Sequence, residues 1–329
     1  MTLIDKYLIY VKNVRRYSDK TVESYRSVLK AFYAIVLNGR ELTDSLALEP
    51  LNPSEIRQYV AARMKDEGFG PRTANLHLSV ISGYCRYLMM DGRIKMNPVR
   101  LVPRLKEESH LPVFYKEEAM NRYFGMTTLS ELSEYRDAII AEPSTSSSGV
   151  MYRKMLSRLI VSLLYCLGLR RSELISLCIS DVDFGRNVVR VHGKGNKMRE
   201  IPIIASLCEE ILLYLEAVEA MVGGKRSLKE PLLITESGRK LYPVYVDRAV
   251  KSELTGVQGL TGRKSPHVLR HSLATNLLDN EADLNSIKEL LGHSSLAATQ
   301  VYTHNSVAKL KTIYESAHPR AKSGGKNGD

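Results

Sequence analysis

The sequence predicts a mainly α (α+β) protein in two parts: an N-terminal helical domain, and a C-terminal, mostly helical domain that carries a small β-sheet. Apolar residues return at intervals of three and four along most of the chain, the period of a helix with one face on a core. One stretch, residues 181–204, changes to period two, as a half-buried strand pair does. Between the two parts Pro103 and Pro112 bracket the polar run LKEESHL, which neither continues a helix nor buries much surface.

In chain order, the N-terminal third reads as four or so helices. Ser18 can cap a run in which Val22, Tyr25, Val28, Leu29, Phe32 and Ile35 share helical spacing. Asn52-Pro53-Ser54-Glu55 offers a capping side chain, a proline at the first position and a glutamate at the third, so a capping box opens a helix that ends near Gly68 or Gly70. Pro71 opens the next, with Leu76, Val80, Ile81, Tyr84, Tyr87 and Leu88 as its stripe before Asp91-Gly92. These tyrosines read as core or rim residues rather than stacking platforms. Asn97-Pro98 begins an extended segment. The expected boundaries are a domain over 1–104, a linker over 105–112, a second domain over 113–318 and a disordered, basic-leaning tail over 319–329.

In the second part, Pro143 to Gly149 (PSTSSSG) reads as a low-complexity loop. Residues 159–178 run as an apolar helix into Gly168, and the pattern restarts after Arg170-Arg171-Ser172-Glu173, with Ser172 or a neighbour as the cap. In 181–204, Val189, Val191, Ile201 and Ile203 alternate around Gly193-Lys194-Gly195-Asn196, which makes a β-hairpin with a lysine at its tip. Its spacing is not that of a phosphate-binding P-loop. Ser265-Pro266 starts a helix with the serine hydroxyl free to cap. Asp283 caps another, with Leu284, Ile287, Leu290 and Leu291 as its stripe and Gly292 as its stop. Ser294 or Ser295 can open a short third helix in which Thr299 and Tyr302 lie one turn apart, and Leu310, Ile313 and Tyr314 recur at helical spacing before Ala317.

Composition narrows the class. The chain has 329 residues with 44% hydrophobic, long enough for two domains with cores of their own. Its net charge is +11, unevenly spread: residues 1–106 hold 18 Lys and Arg against 10 Asp and Glu. A basic N-terminal third suits a surface that tracks phosphates and agrees with a double-stranded DNA partner, the alternative being a charge excess that merely solubilises. No apolar run reaches membrane-spanning length and MTLIDKYLIYVKNV lacks a signal-peptide pattern, so a cytoplasmic protein with no membrane contact is expected. Cys85, Cys166, Cys178 and Cys208 form no CxxC pair and read as packed thiols of a reducing compartment.

Chemistry concentrates in residues 265–304. His267, Arg270 and His271 fall at i, i+3 and i+4 of one helix, His293 sits just past a helix end, and Tyr302 follows nine residues later. Such a set suits a phosphodiester. Histidines at i and i+4 are also zinc-ligand spacing, but a cation at Arg270 opposes a dication and no glutamate stands in the HExxH position, so no metal and no other cofactor is expected. Upstream, Arg170 sits at a helix junction. Glu173 is read either as an orienting partner for Arg170 or as an exposed helix-start glutamate, while Arg171 and His271 are read as framework residues.

The series GLRRSEL, GKGNK, HVLRH, LGHSS and VYTH resembles the tyrosine recombinase family, more narrowly its Xer-type members, and the likeness extends over the chain except the tail and the Ser-rich insert. The resemblance implies a SAM-like core-binding domain followed by a catalytic domain. It implies a site made of Arg170, Lys194, His267, Arg270, His293 and the nucleophile Tyr302, all of the required types. It further implies cleavage and rejoining of DNA through a 3′-phosphotyrosine and a Holliday junction, and a tetramer with a sister Xer-type recombinase. A DNA translocase of the division septum and chromosome dimer resolution at a dif-like site complete the implied setting. In the family, the C-terminal helix docks into a neighbouring protomer. An integrase or invertase of a mobile or phase-variable element is the alternative within the class. A type IB topoisomerase and a non-catalytic DNA-binding regulator are the alternatives outside it.

Overall fold

The computed structural model describes residues 1–41, 43–44, 46–107, 113–193, 198–292, 317, 318 and 320. The chain divides into two compact units, Met1–Leu111 and Pro112–Asp329. No helix among the described residues is long and apolar enough to cross a membrane.

The described residues of the first unit form four helices, α1 (Leu3–Asn13), α2 (Asp19–Val36), α3 (Pro53–Glu67) and α4 (Pro71–Met90), followed by a 3₁₀ turn at Pro98–Leu101. Local chemistry starts and stops them. Thr2 and Asp5 form a reciprocal capping box, Ser18 accepts from Thr21 N–H, and the Asn52 side chain accepts from both Ser54 and Glu55 N–H. Gly68 ends α3 in the left-handed conformation (φ 65°). Leu29, Phe32, Ile56, Tyr59, Ile81 and Tyr84 build the core. Two predicted stripe residues lie elsewhere: Ile35 and Leu76 are exposed, because the helices turn Phe32, Tyr33 and Ala74, Leu78 inward instead. The segment after Asn97 is also not extended at first. Asn97 caps the 3₁₀ turn by accepting from Val99 N–H, Val99 and Val102 are buried, and Asn75 on α4 exchanges two hydrogen bonds with the Leu105 backbone (2.9 and 3.0 Å).

The second unit contains α5 (Glu117–Gly125), α6 (Leu129–Ala141), α7 (Ser146–Cys166), α8 (Arg171–Ser176), α9 (Ala205–Val222), α10 (Pro243–Leu254), α11 (Pro266–Asp279) and α12 (Leu284–Leu291). An antiparallel sheet in the order β1-β2-β3 lies between α8 and α9: β1 (Val182–Asp183), β2 (Val188–His192) and β3 (Met198–Pro202), with Val189 opposite Ile201 and Val191 opposite Arg199. Helix α7 is the centre. Its C-terminal half, Leu159 to Cys166, is buried on every face, as a helix surrounded by others must be, and α6, α9, α10 and α11 pack around it.

Several local readings change here. Only the first part of the Ser-rich stretch is loop: residues 143–145 precede α7 and Ser146 begins it, Thr145 caps the helix by accepting from Ser148 N–H, and the buried Ser148 hydroxyl donates to the Glu142 carbonyl at 2.6 Å. Small hydroxyl residues satisfy orphan N–H groups at a helix start, which composition alone does not distinguish from a linker. Ser265 occupies the N-cap of α11 but makes no capping bond; its backbone is fully extended (φ −157°), whereas the bonding Ser and Thr caps lie between −64° and −86°. Asp283 does cap α12, accepting from Ser286 N–H at 2.9 Å, but Leu284 is exposed rather than part of its stripe. Arg320, counted in the disordered tail, is buried against the core with Ala317 and His318. The predicted helices after Ser294 and over 307–316 lie outside the described residues.

Candidate active site

Two glycines shape the place where the site residues meet. Gly168 ends the α7 turn at φ 56°, and an added Cβ would fall 2.6 Å from Leu291 Cδ2 and 3.0 Å from Leu273 Cδ2. Both the conformation and the close approach of α11 and α12 therefore require glycine. Gly292 ends α12 at φ 65°. The carbonyls around these two residues are the anchors of the site.

Arg270, on the inner side of α11, donates to the carbonyls of Gly168 and Leu291. Helix α11 is held for this on its other face. Ser272 accepts Tyr115 N–H at 2.7 Å, while Asn276 donates to the Tyr115 carbonyl at 3.2 Å and to the Tyr165 hydroxyl at 2.9 Å. Arg170 is the N-cap of α8, the position expected for Ser172 or a neighbour, and Ser172 lies inside the helix. Its Nη2 donates to the Gly292 carbonyl at 3.2 Å. So Arg170 and Arg270, remote in sequence, hold adjacent carbonyls of one helix end.

Glu173 joins them. It is 4% exposed, so it is not the exposed glutamate that one reading allowed. One oxygen accepts Arg170 N–H at 2.9 Å and the other accepts Arg170 Nη1 at 2.8 Å. Arg199 of β3, equally buried, donates to the same two oxygens at 3.1 and 2.9 Å and places Nε on the Leu290 carbonyl at 2.8 Å. Arg270 Nη1 lies 3.9 Å from Glu173 Oε2. Burial alone would raise the Glu173 pKa, but the hydrogen bonds and charge of Arg199, with the hydrogen bonds of Arg170, outweigh it and hold the carboxyl below its ordinary value. Burial, then the neighbouring charge of Arg170, pulls Arg270 down to about 10 against the opposing pull of Glu173.

Of the six predicted catalytic residues, the structure brings Arg170 and Arg270 together and places His267 one turn before Arg270 on α11, exposed. Lys194, His293 and Tyr302 lie outside the described residues; the described residues next to the first two are Gly193, just past β2, and Gly292. His271 meets the Phe114 ring edge-on at 6.4 Å, and Arg171 pairs with Asp247 of α10, consistent with framework roles. Among the described residues no cluster of His, Cys, Asp and Glu could hold a metal ion. Sequence reading missed Arg199. Its signal was the alternation itself, which sets Arg199 on the same side of β3 as Ile201, and a cation on an inward face needs a buried partner.

Residues 135–309 match the phage integrase family, and residues 4–92 match the phage integrase N-terminal SAM-like domain. This chain belongs to the phage integrase family of tyrosine recombinases. It is 32% identical over 323 residues to the tyrosine recombinase XerC of Chlorobaculum parvum, covering 97% of this chain and 94% of that one. It is 31% identical over 319 residues to XerC of Azotobacter vinelandii, covering 97% and 96%. The fold is that of solved recombinases such as XerH bound to a palindromic difH substrate (TM-score 0.61, 19% identity, 95% of this chain and 84% of that one). As a tyrosine recombinase, the protein is an enzyme that breaks and rejoins DNA.

Proposed function

We propose that this recombinase resolves chromosome dimers at a dif-like site, with Arg170, Lys194, His267, Arg270, His293 and Tyr302 as its catalytic set. The observation that carries the site reading is a charge imbalance. Three guanidiniums, Arg170, Arg199 and Arg270, meet one carboxylate, Glu173, among the described residues. A phosphodiester supplies the missing negative charge, and the pentacoordinate transition state supplies more, so a preorganised pair of arginines favours the transition state over the ground state.

A tyrosine hydroxyl with an ordinary pKa near 10 is ionised in only about one molecule in a thousand at neutral pH, a handicap of roughly 4 kcal/mol. In this reading His267 takes the proton as the Tyr302 oxygen attacks phosphorus, and His293 donates a further hydrogen bond to the phosphate. The bond from phosphorus to the 5′ oxygen breaks, Lys194 protonates that oxygen, and the DNA is held as a 3′-phosphotyrosine. The phosphoester bond is exchanged rather than hydrolysed, so religation needs neither ATP nor a cofactor. Two duplexes joined in a tetramer with a sister Xer-type recombinase would exchange strands through a Holliday junction, under a DNA translocase of the septum and in the cytoplasm. The Xer-type reading is supported by XerC relatives of matching length, and the dif-like target by analogy with XerH, which is bound to a palindromic difH substrate.

The test is covalent trapping on a nicked suicide duplex carrying a candidate dif-like site, with and without the sister protein. A 3′ adduct that disappears in Tyr302→Phe is the expected result. Specific binding with no adduct under either condition would favour a DNA-binding regulator. Relaxation of supercoils without a defined site would favour a topoisomerase, and exchange only at the ends of a mobile element would replace dimer resolution with integration.

A further inference from the structure

We propose that Arg199 is a positioning residue of this active site, a third arginine that sets the spacing of Arg170 and Arg270 without itself meeting the phosphate. The inference rests on the reading of Arg170 and Arg270 as the phosphate-binding pair. Arg199 contacts the supports of both. Its two terminal nitrogens grip the two Glu173 oxygens side by side (3.1 and 2.9 Å), which fixes the plane of a carboxylate that would otherwise rotate. The same oxygens hold the Arg170 backbone and guanidinium. Its Nε holds the Leu290 carbonyl, one residue before the carbonyl that anchors Arg270 and two before the one that anchors Arg170.

Shape agrees with this role. An added Cβ on Gly292 would lie 3.1 Å from Arg199 Nη1, so the end of α12 rests on the guanidinium itself. The strand position adds a second link. Val191 opposite Arg199 and His192 opposite Met198 set the register of the two strands between which Lys194 falls in the sequence. Arg199 thus ties the hairpin, α8 and α12 to one point. A lysine would keep the charge but lose the planar fork that makes three directed bonds at once. Displacing catalytic groups by about 1 Å costs about 10²-fold in rate.

The test separates positioning from mere support of the fold. In the full chain, single-turnover cleavage of the nicked duplex gives both a rate constant and an amplitude. A structural loss lowers the amplitude, the share of competent molecules, whereas lost positioning lowers the rate constant. Arg199→Met is expected to slow the rate constant by about 10²-fold with the amplitude retained. Adding Glu173→Gln to it should cost less than about threefold more, because both changes break one coupled unit. A wild-type rate constant at reduced amplitude, or two effects that multiply, would overturn the proposal. Should Arg199→Met not fold, Arg199→Lys serves: a rate at least about tenfold slower supports the fork, and a wild-type rate overturns it. Wild-type protein that forms no adduct would strike instead at the catalytic reading beneath, and that is seen before any variant is compared.

Discussion

Among the described residues of the second unit, two clusters of buried charge close differently. Around Glu210, Arg158 and Arg320 stand 3.4 and 3.6 Å from its two oxygens, and Ser162 lies within 2.8 and 2.9 Å of both. Aromatic faces finish it: Arg320 sits 4.1 Å over the Phe124 ring, and Arg158 lies over Tyr123 and Phe124. Tyr123 in turn donates to a second carboxylate, Glu253. Among the described residues, two cations and two acids meet there. The Glu173 cluster sets three arginines on one acid and leaves Arg170 about a third exposed. A cluster that serves only the fold is balanced by its own residues; one left cationic and partly open is prepared for a ligand that brings negative charge.

The largest expected effect breaks the closed cluster. Glu210→Ala strands two buried guanidiniums and should cost about 3–5 kcal/mol of stability, read from urea unfolding, with the cleavage rate per folded molecule unchanged. An unaltered unfolding midpoint would remove the distinction between the clusters. The open cluster should respond the other way. Arg170→Lys keeps the charge but loses the fork, so single-turnover cleavage should slow by about 10²–10³-fold while stability moves by less than about 1 kcal/mol. A loss of stability matching the loss of rate would make Arg170 a structural residue like Arg158.

The same contrast explains what was legible in the sequence. Motif chemistry named Arg170 and Arg270, and local stops and caps at Gly68, Asp283 and Gly292 stand where short-range geometry puts them. What one residue does to its chain neighbours is written in spacing. What Glu210 does is not, since its partners Arg158 and Arg320 are remote in sequence and a glutamate in a helix reads as surface. Glu173 stayed ambiguous for the same reason: its burial comes from β3, and Arg199 was passed over in a hairpin read only for its valines, its isoleucines and Lys194. Ile35 and Leu76 show the limit of periodicity, because a stripe one residue too wide includes positions that the packing partner leaves exposed. In PSTSSSG the composition suggested a loop, while the buried Ser148 bond to Glu142 makes it a helix start.

The smallest effect sharpens the comparison through the sign of its pH dependence. The Glu173 carboxyl is held below its ordinary 4.5 despite burial, by the bonds and charge of Arg199 and the bonds of Arg170. Its contribution to stability is complete above pH 4.5 and is lost as pH falls through the lowered value, since protonation cancels the pairing. Glu253 is shifted the other way: burial raises its carboxyl, outweighing the Tyr123 hydrogen bond and the charge of Arg158. Its folded form prefers the proton, so its contribution is present below pH 4.5 and is lost as pH rises through the raised value; the ionised form at neutral pH is a cost. Glu173→Gln should therefore lower the urea midpoint at pH 7, with the difference from wild type narrowing below pH 4.5. Glu253→Gln should raise the midpoint at pH 7, and its advantage should vanish as pH falls through the raised value toward 4.5. Midpoints that fell at pH 7 for both variants would mean that pairing with arginines, rather than burial, governs both carboxylates alike.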